Sequence, residues 1–223
     1  MKRITKKPAA LQRRSALRAI FAVSSIRAAT FFEVLIAVAI IVVLAVYILL
    51  GIVGGRESAK TAKAGLVQRQ LGEASGFYFA DTGFYPPDVN RGWDPGFVRS
   101  LPWNPDTEAG DPPPGGFATS GTNCSHCPTN WQDVVQAKWS GPYITTWPRF
   151  TPWKGKYDYN YWATGTVRYG CTVPPGAYIG AQGDYNNKNT IPAFMEQMMI
   201  NKNLDADLCI NGESQMLLHP IGN

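Results

Sequence analysis

The pattern of apolar and polar positions changes character twice within the first eighty residues. From Val34 to Val53 twenty positions pass without a charge, about the length of helix that crosses a bilayer. From Arg56 to about Ala80 apolar residues recur at helical spacing. Val67, Leu71, Ala74 and Tyr78 fall at i, i+4, i+7 and i+11, a single stripe on an amphipathic helix. Gly51, Gly54 and Gly55 separate the two patterns, each costing roughly 1 kcal/mol relative to alanine inside a helix. They mark a soft point, or an ordinary exit from a membrane. As one helix from Ala29 to Ala80, the two segments would measure about 78 Å at 1.5 Å per residue. Its first half is apolar all round, so it needs a membrane or other copies of itself.

Asp81-Thr82-Gly83 ends the helical pattern, and a long irregular region follows from Pro86 to Lys138. It contains Pro112-Pro113-Pro114 and a candidate short helix from Asn130 to Ala137. Strand-like runs come next: Lys156–Ala163, Thr166–Tyr169 and Ala177–Ile179. Thr164-Gly165 suggests that the first two form a hairpin. A helical patch, Phe194 to Met199, precedes a tail that reads as polar loop. The fold class is therefore α+β, a long N-terminal helix packed on a small antiparallel-sheet head.

Charge divides the chain. Lys2, Arg3, Lys6, Lys7, Arg13, Arg14, Arg18 and Arg27 precede the apolar run, with no acid among residues 1–28. The formal charge is +5; removing these 8 of the 21 basic residues leaves 13 against 16 acids, a net −3. No basic face remains for nucleic acid, which excludes that partner class. The basic leader instead places the N-terminus in the cytoplasm and the head outside. Glu33, at the front of the apolar run, would cost about 2.5–3.5 kcal/mol at the bilayer centre. It is either solvated at the interface or functional.

A secretory signal is cut after its apolar region; here the small residues Ala28 and Ala29 lie before it. The order basic leader, Ala28-Ala29-Thr30-Phe31-Phe32-Glu33, long apolar helix resembles the class III signal of type IV pilins and type II secretion pseudopilins. That resemblance implies cleavage between Ala28 and Ala29 by a prepilin peptidase and methylation of Ala29. It also makes Glu33 the assembly residue. Ala28 stands where the family usually has glycine, and Ala29 where it usually has phenylalanine. In the head, Asp81-x-Gly83-x-Tyr85-Pro86, Trp139-Ser140-Gly141-Pro142-Tyr143-Ile144 and Pro152-Trp153-Lys154-Gly155-Lys156-Tyr157-x-Tyr159 are similar to the major pseudopilin of type II secretion. Thr151 replaces the aspartate of that family's turn. The implied organisation is a leader, 1–28; a membrane or filament-core helix, 29–55; an amphipathic helix, 56–82; and a pilin-like head, 83–223, with a long loop at 86–138. The implied partners are copies of the chain, other pilin-like subunits, the peptidase and an inner-membrane assembly platform. The precursor would be a single-pass inner-membrane protein, its head in the periplasm or, within a filament, outside the cell. A surface pilus subunit for adhesion or motility is the close alternative. An uncleaved, membrane-anchored extracytoplasmic binding domain is the alternative of another class.

The same resemblance implies calcium in a C-terminal loop. Gly180-Ala181-Gln182-Gly183 and Asp205-Ala206-Asp207-Leu208 are similar to the family's two calcium stretches, Gln182 standing where the first has aspartate. Asp184, Asp205 and Asp207 with main-chain carbonyls would supply the oxygens calcium takes; solvated loop aspartates are the other reading. Four cysteines on an exported head read as two disulfides, Cys124 with Cys127 and Cys171 with Cys209. A zinc site built from the four is the alternative. The aromatic-rich composition is the material of a core and of subunit contacts, or of a sugar site. With His126 and His219 the only histidines, no catalytic triad spacing and no phosphate loop, no enzyme is expected.

Overall fold

The structure, a computed structural model, describes residues 30–107, 124–184 and 190–221. Ala28 and Ala29 lie outside the described residues. The first element is α1 (Phe31–Thr82), 52 residues, and the chain divides into two units between Leu50 and Gly51. In the first unit every side chain from Thr30 to Leu49 is exposed. This helix is long and apolar enough to cross a membrane.

In the second unit α1 continues unbroken through Gly51, Gly54 and Gly55. It buries Thr61, Ala64, Gln68, Leu71, Ser75, Tyr78 and Thr82, a line stepping by three and four residues. Leu71, Ala74 and Tyr78 of the expected stripe lie in the core, and Val67 packs at its margin. The centre of the buried face is polar as well as apolar. Gln68 Nε2 donates to Ile179 O at 3.0 Å and to Ser214 Oγ at 2.9 Å, which pins the helix to the sheet. Gly65 admits Leu204 there: a Cβ on Gly65 would sit 2.4 Å from Leu204 Cδ1.

The remaining elements are α2 (Trp131–Lys138), β1 (Lys154–Trp162), β2 (Thr166–Arg168), β3 (Cys171–Val173), β4 (Gly176–Gly183), α3 (Ala193–Ile200) and β5 (Glu213–Pro220). An antiparallel sheet runs in the order β1-β4-β5, and β2-β3 forms a separate two-stranded ribbon; Tyr159, Ile179, Ala181 and Met216 of the sheet share one core with Ala64, Leu71, Ala74 and Tyr78 of α1. The α+β layout holds, as do both short helices. Two expectations fail.

The first is the hairpin across Thr164-Gly165. The turn exists, with Gly165 N donating to Trp162 O at 3.3 Å. The strand leaving it nevertheless pairs forward with Cys171–Val173. Tyr169 and Gly170 both have positive φ, 48° and 88°, as the favoured two-residue hairpin turn requires. β1 instead pairs with the distant β4, Asp158 opposite Gly180 and Asn160 opposite Tyr178. The second is the tail. Residues 213–220 form β5, hydrogen-bonded to β4. Glu213 and Gln215 look like loop residues, yet they point to the second sheet face, which is also buried.

Thr151 shows how a departure from the expected turn is accommodated. Its Oγ1 accepts from Trp153 N and Gly155 N, at 3.4 and 3.1 Å, and donates to Gln182 O at 2.6 Å. One hydroxyl thus closes the turn and ties it to β4. Gly155 has no alternative, because a Cβ there would meet Gln182 O at 2.1 Å.

Candidate functional site

At the front of α1, Thr30 and Glu33 form a reciprocal cap. Thr30 N donates to Glu33 Oε2 at 2.8 Å, Thr30 Oγ1 donates to the same oxygen at 3.1 Å, and Glu33 N donates to Thr30 Oγ1 at 3.3 Å. This is a capping box, which satisfies amides that have no intrahelical partner. The spacing Thr-x-x-Glu is its sequence signature, legible before any coordinates. Glu33 therefore has a partner within its own chain. One carboxylate serves the cap, and its second oxygen has no bond to Thr30.

The other concentration of chemistry lies between α3 and β5. Asp205 is 2% exposed, and its Oδ1 accepts from Gln215 N at 2.9 Å. No donor among the described residues reaches Asp205 Oδ2. The Asp207 carboxyl is close enough to act on that of Asp205. Asp207 accepts from Cys209 N at 2.9 Å and Asn211 Nδ2 at 3.2 Å, and two carboxylates so near each other favour a proton or a cation that offsets their charge. Burial raises the pKa of both, and the Asp207 and Glu196 charges add to the rise at Asp205. Glu196, on α3, accepts from Asn211 N and Gly212 N, yet burial still lifts it to about 7. Asp184 follows β4 directly and is half-buried. Among the described residues, the set of three ligand atoms all within 4.8 Å is Cys124, His126 and Cys127; Asp184, Asp205 and Asp207 form no such set. Asp205 and Asp207 come together; Asp184 is not shown with them.

Gln182 is not a loop residue. It lies in β4, fully buried, and its Nε2 donates to Asp158 Oδ2 at 3.1 Å. It belongs to a polar layer on the second sheet face, where Asn160 Nδ2 donates to Gln215 Oε1 at 3.3 Å. Arg168 of β2 reaches over this layer to Glu213, Nε to Oε1 at 2.9 Å and Nη2 to Oε2 at 3.0 Å. Glu213's side chain is wholly buried, and removing one partner of such a pair costs roughly 3–5 kcal/mol. Burial raises Asp158 and Asp88 to about 7, with Arg168 pulling both back.

These raised acids set the sign of the pH dependence. Each binds its proton more tightly folded than unfolded, so its contribution to stability is complete below about pH 4. That contribution is lost as pH rises through about 7. For fully buried Asp158 the loss is on the order of 4 kcal/mol at 1.36 kcal/mol per pKa unit. In a chelating buffer the melting temperature of the full chain is expected to fall from pH 5.5 to pH 8.5. A melting temperature that is flat or rising over that range would contradict the assignment.

The disulfides are Cys124–Cys127 and Cys171–Cys209, so the four cysteines do not form one zinc site. Cys171–Cys209 joins the β2-β3 ribbon to the acidic loop. Cys124–Cys127 closes a small loop in which the His126 ring stacks on Tyr161, centroids 3.4 Å apart. Burial lowers the His126 pKa. At the helix end, Asp81 accepts from Ser140 N, Ser140 Oγ and Tyr143 Oη, and these bonds hold its pKa low. The Trp139–Tyr143 segment is thereby tied to the end of α1. Comparison with protein-family models, with curated proteins and with solved structures finds no match.

Proposed function

We propose that the chain is the structural subunit of a type IV-like filament, a pseudopilin of a type II secretion system. The observation that carries this reading is one helix with two unlike halves. Its front half exposes every side chain from Thr30 to Leu49, and its rear half is the spine of a small disulfide-bonded head. Apolar surface on that scale is covered by lipid before assembly and by neighbouring helices after it, at about 25 cal/mol per Å² buried. A basic leader ending at Ala28 keeps the N-terminus in the cytoplasm; cleavage there and methylation of Ala29 release the subunit. Glu33 sets the stagger, its carboxylate neutralising the Ala29 amine of the next copy. Any other stagger leaves a buried charge unpaired, at a cost of roughly 3–5 kcal/mol. Assembly, not catalysis, is the activity. Electron microscopy of material sheared from cells that make the chain, a prepilin peptidase and an assembly platform tests this: filaments carrying the chain support it. A chain found solely as separate copies in the membrane favours the uncleaved anchor.

Calcium belongs to the same proposal. Asp205 and Asp207 would hold it, since a buried carboxylate oxygen with no donor, near a second carboxylate, suits a hard cation. Its chemistry would be charge neutralisation in the loop. At 100 times its dissociation constant, calcium is expected to add about 2.7 kcal/mol of stability. The expected result is a higher melting temperature at pH 8 on adding calcium, reversed by chelator. No shift would leave the pair sharing a proton.

A further inference from the structure

Asn211-Gly212 is the one Asn-Gly pair in the sequence, and it leads from the acidic loop into β5. An asparagine closes a five-membered ring when the amide nitrogen of the next residue attacks its side-chain carbonyl carbon. Glycine leaves that nitrogen unshielded, since it has no Cβ. For the attack, the nitrogen must lose its proton and the carbonyl oxygen must be stabilised as it gains charge. Both needs are met by groups already in place. Gly212 N donates to both oxygens of Glu196, at 2.9 Å to Oε2 and 3.1 Å to Oε1. Glu196 is wholly buried, and a desolvated carboxylate is a stronger base than a solvated one. Glu213 N donates to Asn211 Oδ1 at 3.0 Å, the kind of fixed donor that steadies a developing oxyanion. On the other side, Asn211 Nδ2 donates to Asp207 Oδ2 at 3.2 Å and to Arg168 O at 3.4 Å. An N–H only donates and a peptide carbonyl only accepts, so these partners fix which end of the amide is oxygen. Asn211 is half-buried, open to water on one side.

We propose that Asn211 is a self-modification site, cyclising onto Gly212 N with Glu196 as general base. The bond from Gly212 N to Asn211 Cγ forms as Glu196 takes the proton of that nitrogen. Glu196 returns the proton to Nδ2, the Cγ–Nδ2 bond breaks, and ammonia leaves. The product is a succinimide. One water molecule then opens the ring at either carbonyl. The result at position 211 is aspartate or, where the backbone now runs through the side chain, isoaspartate. No oxidant or reductant takes part. The new carboxylate cannot donate to Asp207 or to Arg168 O, so the loop beside the Cys171–Cys209 bridge loses two of its ties. The change runs one way, and so it marks the age of a folded head.

The test follows the full chain in detergent micelles, at neutral pH in water enriched in oxygen-18, by peptide mapping over time. A general base supplies about 10²–10⁴-fold. The folded wild type is therefore expected to convert Asn211 at least about 10-fold faster than the same chain reduced and unfolded in guanidinium chloride. Labelled aspartate and labelled isoaspartate are both expected. Glu196→Gln keeps an acceptor for Gly212 N but lacks the base. It is expected to fall at least about 100-fold below wild type, and below the unfolded chain, because its loop stays held. A folded chain that converts no faster than the unfolded one would overturn the proposal. So would aspartate without isoaspartate, the mark of direct hydrolysis with no ring, or a wild-type rate in Glu196→Gln. The folded-to-unfolded ratio is read on the wild type, so a variant that misfolds does not remove the test.

Discussion

Replacing Glu33 is expected to abolish filaments while leaving the precursor inserted and cleaved. Insertion would be driven by the apolar run from Val34 to Val53, which the substitution does not touch. Two variants separate the roles that meet at this carboxylate. Glu33→Ala loses both the capping box with Thr30 and the charge; loss of a cap costs about 0.5–2 kcal/mol. Glu33→Gln retains the cap, because glutamine serves in a capping box as glutamate does, yet it cannot neutralise an amine. If pairing with a neighbour's N-terminus sets the stagger, both variants yield precursor and mature chain without filaments. Normal filaments from Glu33→Gln, with failure of Glu33→Ala, would reduce Glu33 to a helix cap and remove the register role.

The second large effect concerns the head. Cys171→Ser is expected to lower the melting temperature well beyond Cys124→Ser. The Cys171–Cys209 bridge spans a sequence separation of 38, the Cys124–Cys127 bridge a separation of 3. On the chain-entropy model the long loop corresponds to roughly 4 kcal/mol, while a ring of four residues restricts the unfolded chain little. The structure adds a reason for the same order. The long bridge holds the β2-β3 ribbon over Glu213, whose buried carboxylate depends on Arg168 of that ribbon. Loss of the bridge therefore loosens the cover of a buried charge. Equal losses in the two variants, measured by thermal melts of the full chain in micelles, would contradict this account.

What was legible in the sequence followed from local pattern. The uncharged run announced α1, the apolar stripe its buried face, and the four cysteines two bridges. The failures lie where polar residues are buried. Gln68, Ser75, Glu213 and Gln215 carry no hydrophobic signal, although each is fully buried. For Gln68, Glu213 and Gln215 solvent is replaced by partners far away in sequence, Ile179 O, Arg168 and Asn160 respectively. Pattern reading assigns such residues to the surface, so β5 looks like a tail. The pairing of β1 with β4 was hidden for a related reason. Thr164-Gly165 is a real turn, but the strand after it is too short to match the nine residues of β1. At the candidate sites, Asp205 and Asp207 were singled out by the family resemblance alone. Glu196 and Asp158, which share their burial, were not. One signal was available and carries new weight: Thr30-x-x-Glu33 is the pattern of a capping box.

The most direct measurement is the mass of the mature N-terminus, taken on chain isolated from cells that process it. The account predicts a chain that begins at Ala29, with a methylated amine and without residues 1–28. On the proposed function, that terminus would be the cation that Glu33 neutralises, and its release would let the exposed half of α1 leave the membrane. A chain that begins at Met1 would contradict the account and make the apolar helix a permanent anchor.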